Sequence, residues 1–307
     1  MISKQKPIEL LFAATSDYLP FAVVTAMSAI DHANGRPVNV HFMYADIVKT
    51  ITDEERQACF ERASNTLSCI GAKIFFYDIT NLVPMLDGQN IGMWGREISL
   101  THYFYLLSPI VLPKTISKVI YLDTDMIVNC DLSDVFDMDM GDKLLAMGKP
   151  TGFEIFADMP NSGFSVLNLA LWCKEQTLSK LLDFGKQIPK IELCDQHLLY
   201  QYFTKKHNDR LMLVAKEYNI FPQYFKEMNF DDIKILHYAG LEFGKPFTKP
   251  WKDAEKFRAE YWWHYARQTA FYEMFLQKMI VASIKNQPQK HKRKHHSFWW
   301  HLRHMKF

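Results

Sequence analysis

Apolar residues along the chain come in short runs separated by polar, turn-forming segments. Ile8–Ala14 is apolar at every position but Glu9, the length and make-up of a buried strand. Residues 21–33 have a helical pattern that ends at Asn34-Gly35, a common stop. Val38–Tyr44 reads as a second strand. Residues 52–64 read as a helix, with Thr52 as N-cap and Glu55 three positions on, the spacing of a capping box. Residues 72–77 form a third strand, residues 98–107 a helix, and residues 118–121 a short strand that runs straight into Asp123. Alternation of strand and helix predicts an α/β protein with a mostly parallel sheet.

Such sheets bind ligands beyond the carboxyl ends of their strands. Two polar groups occupy that position, Thr15-Ser16-Asp17 after the first strand and Asp123-Thr124-Asp125 after the fourth. The first strand is not followed by G-x-G-x-x-G, which argues against a dinucleotide cofactor. In extended chain, residues i and i+2 point to one side, so Asp123 and Asp125 converge. A bare D-x-D is commonly a pair of solvent-facing turn acids. Here apolar residues 119–122 and 126–128 flank it, and carboxylates in such a run are costly unless paired. A divalent cation relieves their repulsion, and oxygen ligands suit Mn2+ or Mg2+.

Three further polar segments abut apolar runs: Asn161-Ser162-Gly163, Asp195-Gln196 before a helical pattern at 197–202, and His237-Tyr238-Ala239-Gly240 after a strand-like stretch at 233–236. Each alone reads as a turn or cap. His237 would suit Mn2+ as a third ligand beside two carboxylates. Gly240 would let backbone approach a phosphate, and Lys245 or Lys249 could meet it as a point charge.

Composition narrows the class. The chain has 307 residues, 48% of them hydrophobic and 23% charged, which excludes a disordered or collagen-like protein. Its five cysteines form no C-x-x-C pair, so they read as buried thiols in a reducing compartment rather than a zinc or redox site. No signal peptide or span of roughly 18 apolar residues is present, and a cytoplasmic location is expected. The net charge of +2 is uneven. Residues after 286 hold six Lys and Arg and no acid, which leaves the preceding residues at −4.

Taken in order, the motifs A-A-T-S-D-Y, I-S-L-T-H-Y-F, V-I-Y-L-D-T-D, N-S-G-F-S-V-L-N-L, D-Q, H-Y-A-G and K-P-W resemble glycosyltransferase family 8 over roughly residues 8 to 251. That family includes the bacterial lipopolysaccharide galactosyl- and glucosyltransferases and the glycogenins. The resemblance implies the GT-A nucleotide-diphospho-sugar transferase fold, a Rossmann-like mixed sheet flanked by helices. It also implies a retaining, metal-dependent enzyme that moves galactose or glucose from a UDP-sugar donor. By resemblance, Asp123, Asp125 and His237 are the ligands of Mn2+ or Mg2+, with Thr124 between the two acids. Asn161 and Ser162 lie near the donor sugar. Asp195 holds sugar hydroxyls and Gln196 stands beside the anomeric carbon. Ala13, Thr15, Asp17 and Tyr18 fall in the uracil and ribose segment, and Gly240 and Lys249 contact the diphosphate, with Lys245 in a competing register. Tyr105 stands where members usually carry an Arg that helps hold the donor. Front-face attack, with the leaving phosphate oxygen taking the acceptor's proton, is the preferred mechanism, and Asp195 is the alternative nucleophile.

The division expected is 1–251 for the catalytic domain and 252–307 for a helical, basic C-terminal extension. Residues 254–285 read as aromatic-rich helix. Residues 290–307 mix cations with Phe298, Trp299 and Trp300, which fits an anchor on an anionic inner-membrane surface better than a nucleic-acid site or a solubilising end. The resemblance then implies a lipid-linked oligosaccharide acceptor, such as lipopolysaccharide core, and peripheral association with the inner membrane. Two rivals stand beside this reading. One is a non-catalytic UDP-sugar-binding protein, suggested by Tyr105. The other is a haloacid-dehalogenase-type phosphatase using Asp123-Thr-Asp125, with Asp231-Asp232 as its late acidic pair.

Overall fold

The structure, a computed structural model, describes residues 5–47, 50–89, 100–152, 158–239 and 258–285. Its strands are β1 (Ile8–Ala14), β2 (Val38–Tyr44), β3 (Lys73–Asp78), β4 (Val119–Leu122), β5 (Met126–Val128), β6 (Leu145–Gly148), β7 (Phe164–Leu167), β8 (Leu211–Val214) and β9 (Ile235–His237). Seven of them form one sheet in the order β3-β2-β1-β4-β7-β6-β8, and β5 pairs with β9 in a second, two-stranded sheet. The sheet is mixed: β7 runs antiparallel to both β4 and β6, and the other neighbours are parallel. The expectation of a mostly parallel sheet holds, with four of six pairings parallel, and β7 makes it the mixed sheet that the family resemblance implied.

That reversal positions the site. Because β7 is antiparallel to β4, its first residue Phe164 faces Leu122, the last residue of β4. The segment 161–163 is thereby delivered beside Asp123. The pairing of Met126 with His237 brings the end of β9 to the same place.

Strand side chains alternate between two buried faces, as expected for a sheet covered on both sides. Leu10, Phe12, Ile120 and Leu122 join one apolar cluster, and Leu11, Ala13, Val119 and Tyr121 join the other. Helix α1 (Leu19–Asp31) covers the first face and also pins the acidic loop. Its Thr25 hydroxyl donates to the carbonyl of Met126 at 2.8 Å, and its Ser28 hydroxyl accepts from the N–H of Val128 at 2.9 Å. Helix α2 (Asp53–Ser68) starts at Thr52 with both capping-box bonds formed, Glu55 N–H to Thr52 Oγ1 and Thr52 N–H to Glu55 Oε2.

Three expectations need correction. Of the helix expected at 98–107, residues 98 and 99 lie outside the described residues. The rest ends as a 3-10 turn at Phe104–Leu107 that leads into Ser108–Val111. Pro109 has no N–H for the carbonyl of Tyr105, which accepts instead from Ser108. Of the long helix expected at 254–285, residues 254–257 lie outside the described residues, and the rest is two helices, Ala259–Ala266 and Tyr272–Lys285. The Thr269 hydroxyl donates to the carbonyl of Ala266 and accepts from the N–H of Phe271 between them. Trp262, Phe271 and Phe275 pack in the same apolar cluster as α1, so these helices are seated on the main body. Of the cysteines, Cys194 alone is buried, and Cys69 and Cys173 are exposed. Among the described residues, no helix is long and apolar enough to cross a membrane.

Candidate active site

Asp123 directly follows β4, and its N–H donates to the carbonyl of Gly163 at 2.8 Å, extending the β4–β7 ladder by one rung. Asp125 is buried, and its carbonyl accepts from the N–H of Tyr238 at 2.9 Å. His237, the last residue of β9, is also buried. Its Nε2 lies 3.3 Å from Asp123 Oδ2 and 3.4 Å from Asp125 Oδ1. One ligand atom from each of the three residues lies within 4.8 Å of the others. Two carboxylate oxygens and one imidazole nitrogen suit a divalent ion such as Mn2+, with room for further oxygen ligands from a substrate.

Gly163 makes the cluster possible. A Cβ at this position would come 2.7 Å from Asp123 Oδ2 and would also collide with the His237 ring. The glycine is required by close approach, since no φ in the left-handed region is involved.

The charges within the cluster support one another. Burial favours a neutral His237 ring, but Asp125 and Asp123 outweigh it and hold the imidazole pKa at about 9. Burial also pushes the Asp123 carboxyl up. The hydrogen bond and charge of His237, with the hydrogen bond from Tyr121, together outweigh that and keep it below its ordinary value. Without metal, the proton on His237 supplies the positive charge that the two acids need.

Beside the cluster two buried tyrosines stack, Tyr105 on Tyr121, with ring centroids 3.9 Å apart. Tyr121 donates to Asp123 Oδ1 at 2.6 Å, and Tyr105 donates to Asp195 Oδ2 at 2.9 Å. Burial keeps both phenols protonated, so each serves as a neutral donor. Burial lifts the Asp195 carboxyl to about 6, against the opposing pull of His102 and of hydrogen bonds from Tyr105 and Ser162. A guanidinium at residue 105 would add a fixed positive charge where this chain has a neutral hydroxyl.

The structure brings Asn161, Ser162, Asp195 and Gln196 together. Asn161 Nδ2 donates to Gln196 Oε1 at 2.9 Å, and the Ser162 side chain bonds Asp195. Thr124 lies between the two acids, and its carbonyl accepts from Thr25 at 3.2 Å. Ala13, Thr15, Asp17 and Tyr18 sit at the end of β1, the strand next to β4. Thr15 Oγ1 donates to Asp17 Oδ1 at 2.6 Å, and Tyr18 is exposed. Gly240, Lys245 and Lys249 lie outside the described residues. Asp231 and Asp232 are exposed in the short turn Phe230–Asp232, outside the cluster.

Several site residues were not foreseen. Asn219 is buried, and its Oδ1 lies 2.8 Å from His237 Nδ1. Asp46, two residues past β2, accepts from the Ser16 N–H and hydroxyl and is bridged by Arg56 at 3.1 Å. Tyr121 looks in sequence like any apolar strand residue. For Asp46 and Asn219, a polar residue just past a strand or before an apolar one was the available signal.

Residues 9–255 match glycosyl transferase family 8. The chain belongs to that family. Among its relatives is glycosyltransferase GlyE of Streptococcus pneumoniae serotype 4, 27% identical over 286 residues, covering 86% of this chain and 61% of that protein. Glycosyltransferase GlyA of the same organism is 28% identical over 191 residues, covering 59% of this chain and 26% of that protein. The solved galactosyltransferase LgtC, in complex with donor and acceptor sugar analogs, superposes with a TM-score of 0.65 at 21% identity, covering 86% of this chain and 96% of that one. The apo form of GlyE superposes with a TM-score of 0.63 at 22% identity, over 91% of this chain and 64% of that one. The architecture is accordingly the GT-A fold. This chain spans 26% and 61% of the lengths of GlyA and GlyE.

Two outcomes follow from the family 8 cluster. Gly163→Ala is expected to weaken Mn2+ binding by about ten- to a hundredfold, as changes around metal ligands do. Calorimetric titration of the folded variant checks this. Because a metal must displace the His237 proton, Mn2+ affinity should rise about tenfold per pH unit below about pH 9, with release of one proton. Titration in buffers of different ionisation heat reads that proton. In the metal-free protein, the raised His237 value stabilises the fold fully below the unfolded value of about 6.5, and this contribution is lost as the pH rises through about 9.

Proposed function

We propose that the chain is a retaining, metal-dependent hexosyltransferase that moves galactose or glucose from a UDP-sugar to a lipid-linked oligosaccharide, such as lipopolysaccharide core. The observation that carries this reading is the cluster of Asp123, Asp125 and His237 at the carboxyl edge of the sheet, in a family 8 chain. Its donor set fits Mn2+ or Mg2+. An ion bound there would offset the charge that grows on the diphosphate leaving group.

The chain's own residues supply the rest. Asp195, buried and held by Tyr105, would accept hydrogen bonds from hydroxyls of the donor sugar. Gln196 next to it is an amide and a poor nucleophile. Front-face attack therefore suits this site better than a covalent glycosyl-enzyme, and the leaving phosphate oxygen takes the acceptor's proton. Asp195 is the alternative nucleophile. The transition state resembles an oxocarbenium ion, as in glycoside hydrolysis. Thr15, Asp17 and Tyr18, with Ala13, would hold uracil and ribose at the end of β1, and Gly240 and Lys249 would meet the diphosphate.

Incubation of the protein with Mn2+ and UDP-galactose or UDP-glucose is expected to release UDP with one of the two donors. Proton NMR of the transferred or hydrolysed sugar, read before mutarotation, should show the α configuration. A β product would refute retention, and UDP binding without any cleavage would favour the non-catalytic reading.

The basic, aromatic residues 290–307 are proposed to hold the enzyme on the anionic cytoplasmic face of the inner membrane, where a lipid-linked acceptor would lie. Each Lys or Arg near such a surface contributes about 1 kcal/mol. Deleting residues 286–307 should release the protein from phosphatidylglycerol vesicles in a sedimentation assay and leave UDP-sugar hydrolysis intact. Continued sedimentation would rule out the anchor.

A further inference from the structure

Four side chains form one line of hydrogen bonds from the candidate metal cluster to Gln196. His237 Nδ1 lies 2.8 Å from Asn219 Oδ1. Asn219 Nδ2 donates to Asn161 Oδ1 at 2.9 Å and to the Asn161 carbonyl at 3.2 Å. Asn161 Nδ2 donates to Gln196 Oε1 at 2.9 Å.

The direction of this line is fixed from both ends. The backbone N–H of Gly163 donates to Asn161 Oδ1 at 3.0 Å, and a backbone donor cannot be reversed. Asn161 must therefore turn its oxygen toward Gly163 and Asn219, and its NH2 toward Gln196. The Gln196 atom that meets it must be the oxygen. At the other end, Asn219 faces two acceptors on Asn161, so its NH2 points there and its oxygen points to His237. Nδ1 therefore always carries a proton, and the Nε2 proton, which faces Asp123 and Asp125, is the one that a metal ion would displace. Asn219 is buried, so a reversed amide would find no water to compensate it.

We infer that Asn219 is a positioning residue that couples His237 to Gln196, and that this amide line commits Gln196 Oε1 to Asn161 and leaves the Nε2 hydrogens to meet the donor. Gln196 then acts as a hydrogen-bond donor to a sugar or phosphate oxygen and cannot attack the anomeric carbon while the line is intact. This rests on the hexosyltransferase reading above.

Asn219→Asp tests it. The new carboxylate still accepts from His237 Nδ1, but it cannot donate to Asn161. It sets a carboxylate against the two Asn161 oxygens while the Gly163 N–H still holds Asn161 Oδ1, so the line breaks at Asn161 and no longer fixes the Gln196 amide. Mn2+ affinity, measured by titration without donor, should stay within about threefold of wild type or tighten, because a carboxylate partner raises imidazole basicity. The kcat for UDP-hexose cleavage should fall about tenfold or more with KM little changed, since a Gln196 amide no longer held in one orientation misplaces a transition-state contact. Asn161→Asp leaves the His237–Asn219 bond in place and should show the same split. It decides the matter if the first variant fails to melt cooperatively.

Folded variants that keep wild-type kcat overturn the inference. So do folded variants whose Mn2+ affinity and kcat fall in parallel, which is the mark of a structural role alone. A wild-type protein that neither binds Mn2+ nor cleaves either UDP-hexose overturns the hexosyltransferase reading, and this inference with it. An active wild type with the wrong variant pattern overturns this inference only.

Discussion

Two carboxylates set two residues apart at the end of a buried strand cannot both stay charged without a positive partner. The geometry around Asp123 and Asp125 answers that constraint. His237 is brought between them by the pairing of β5 with β9, at 3.3 and 3.4 Å. Its elevated pKa shows that the site stabilises a positive charge at the point where the three ligand atoms converge. A proton fills that need in the metal-free protein, and a divalent ion would fill it in the proposed enzyme.

The rest of the architecture holds this charge cluster in shape. The antiparallel entry of β7 delivers Gly163 against Asp123 and His237, where a Cβ would collide with both. Thr25 and Ser28 of α1 fix the loop backbone on the other side. The stacked tyrosines tie Asp123 to Asp195, and the amide line ties His237 to Gln196. The candidate metal cluster and the two residues expected to meet the sugar are thus linked by two paths, one through the stacked phenols and one through amide hydrogen bonds.

The strands and the acidic pair were legible in the chain because their signals are local. Ile8–Ala14 and Val38–Tyr44 have the bounds that their apolar runs suggest, and Thr52 and Glu55 form the capping box that their spacing encodes. The reversal at β7 was not legible, since a four-residue apolar strand carries no mark of its direction. The 3-10 turn at 104–107 depends on one missing N–H at Pro109, which the helical pattern before it hid. Asn219 acts through partners 18 and 58 residues away, and nothing beside it in the chain names them, whereas Tyr121 bonds Asp123 only two residues on. The departure at Tyr105 was visible in sequence. Its consequence, a neutral hydroxyl on a buried carboxylate, needed the fold.

The most direct test is calorimetric titration of UDP into the wild-type protein and Asp125→Asn, with and without Mn2+. The account predicts UDP binding that requires Mn2+ in the wild type and is lost in the variant while its fold is kept. UDP binding that is equally tight without metal, or unchanged in Asp125→Asn, would contradict the claim that this cluster holds the ion that holds the diphosphate.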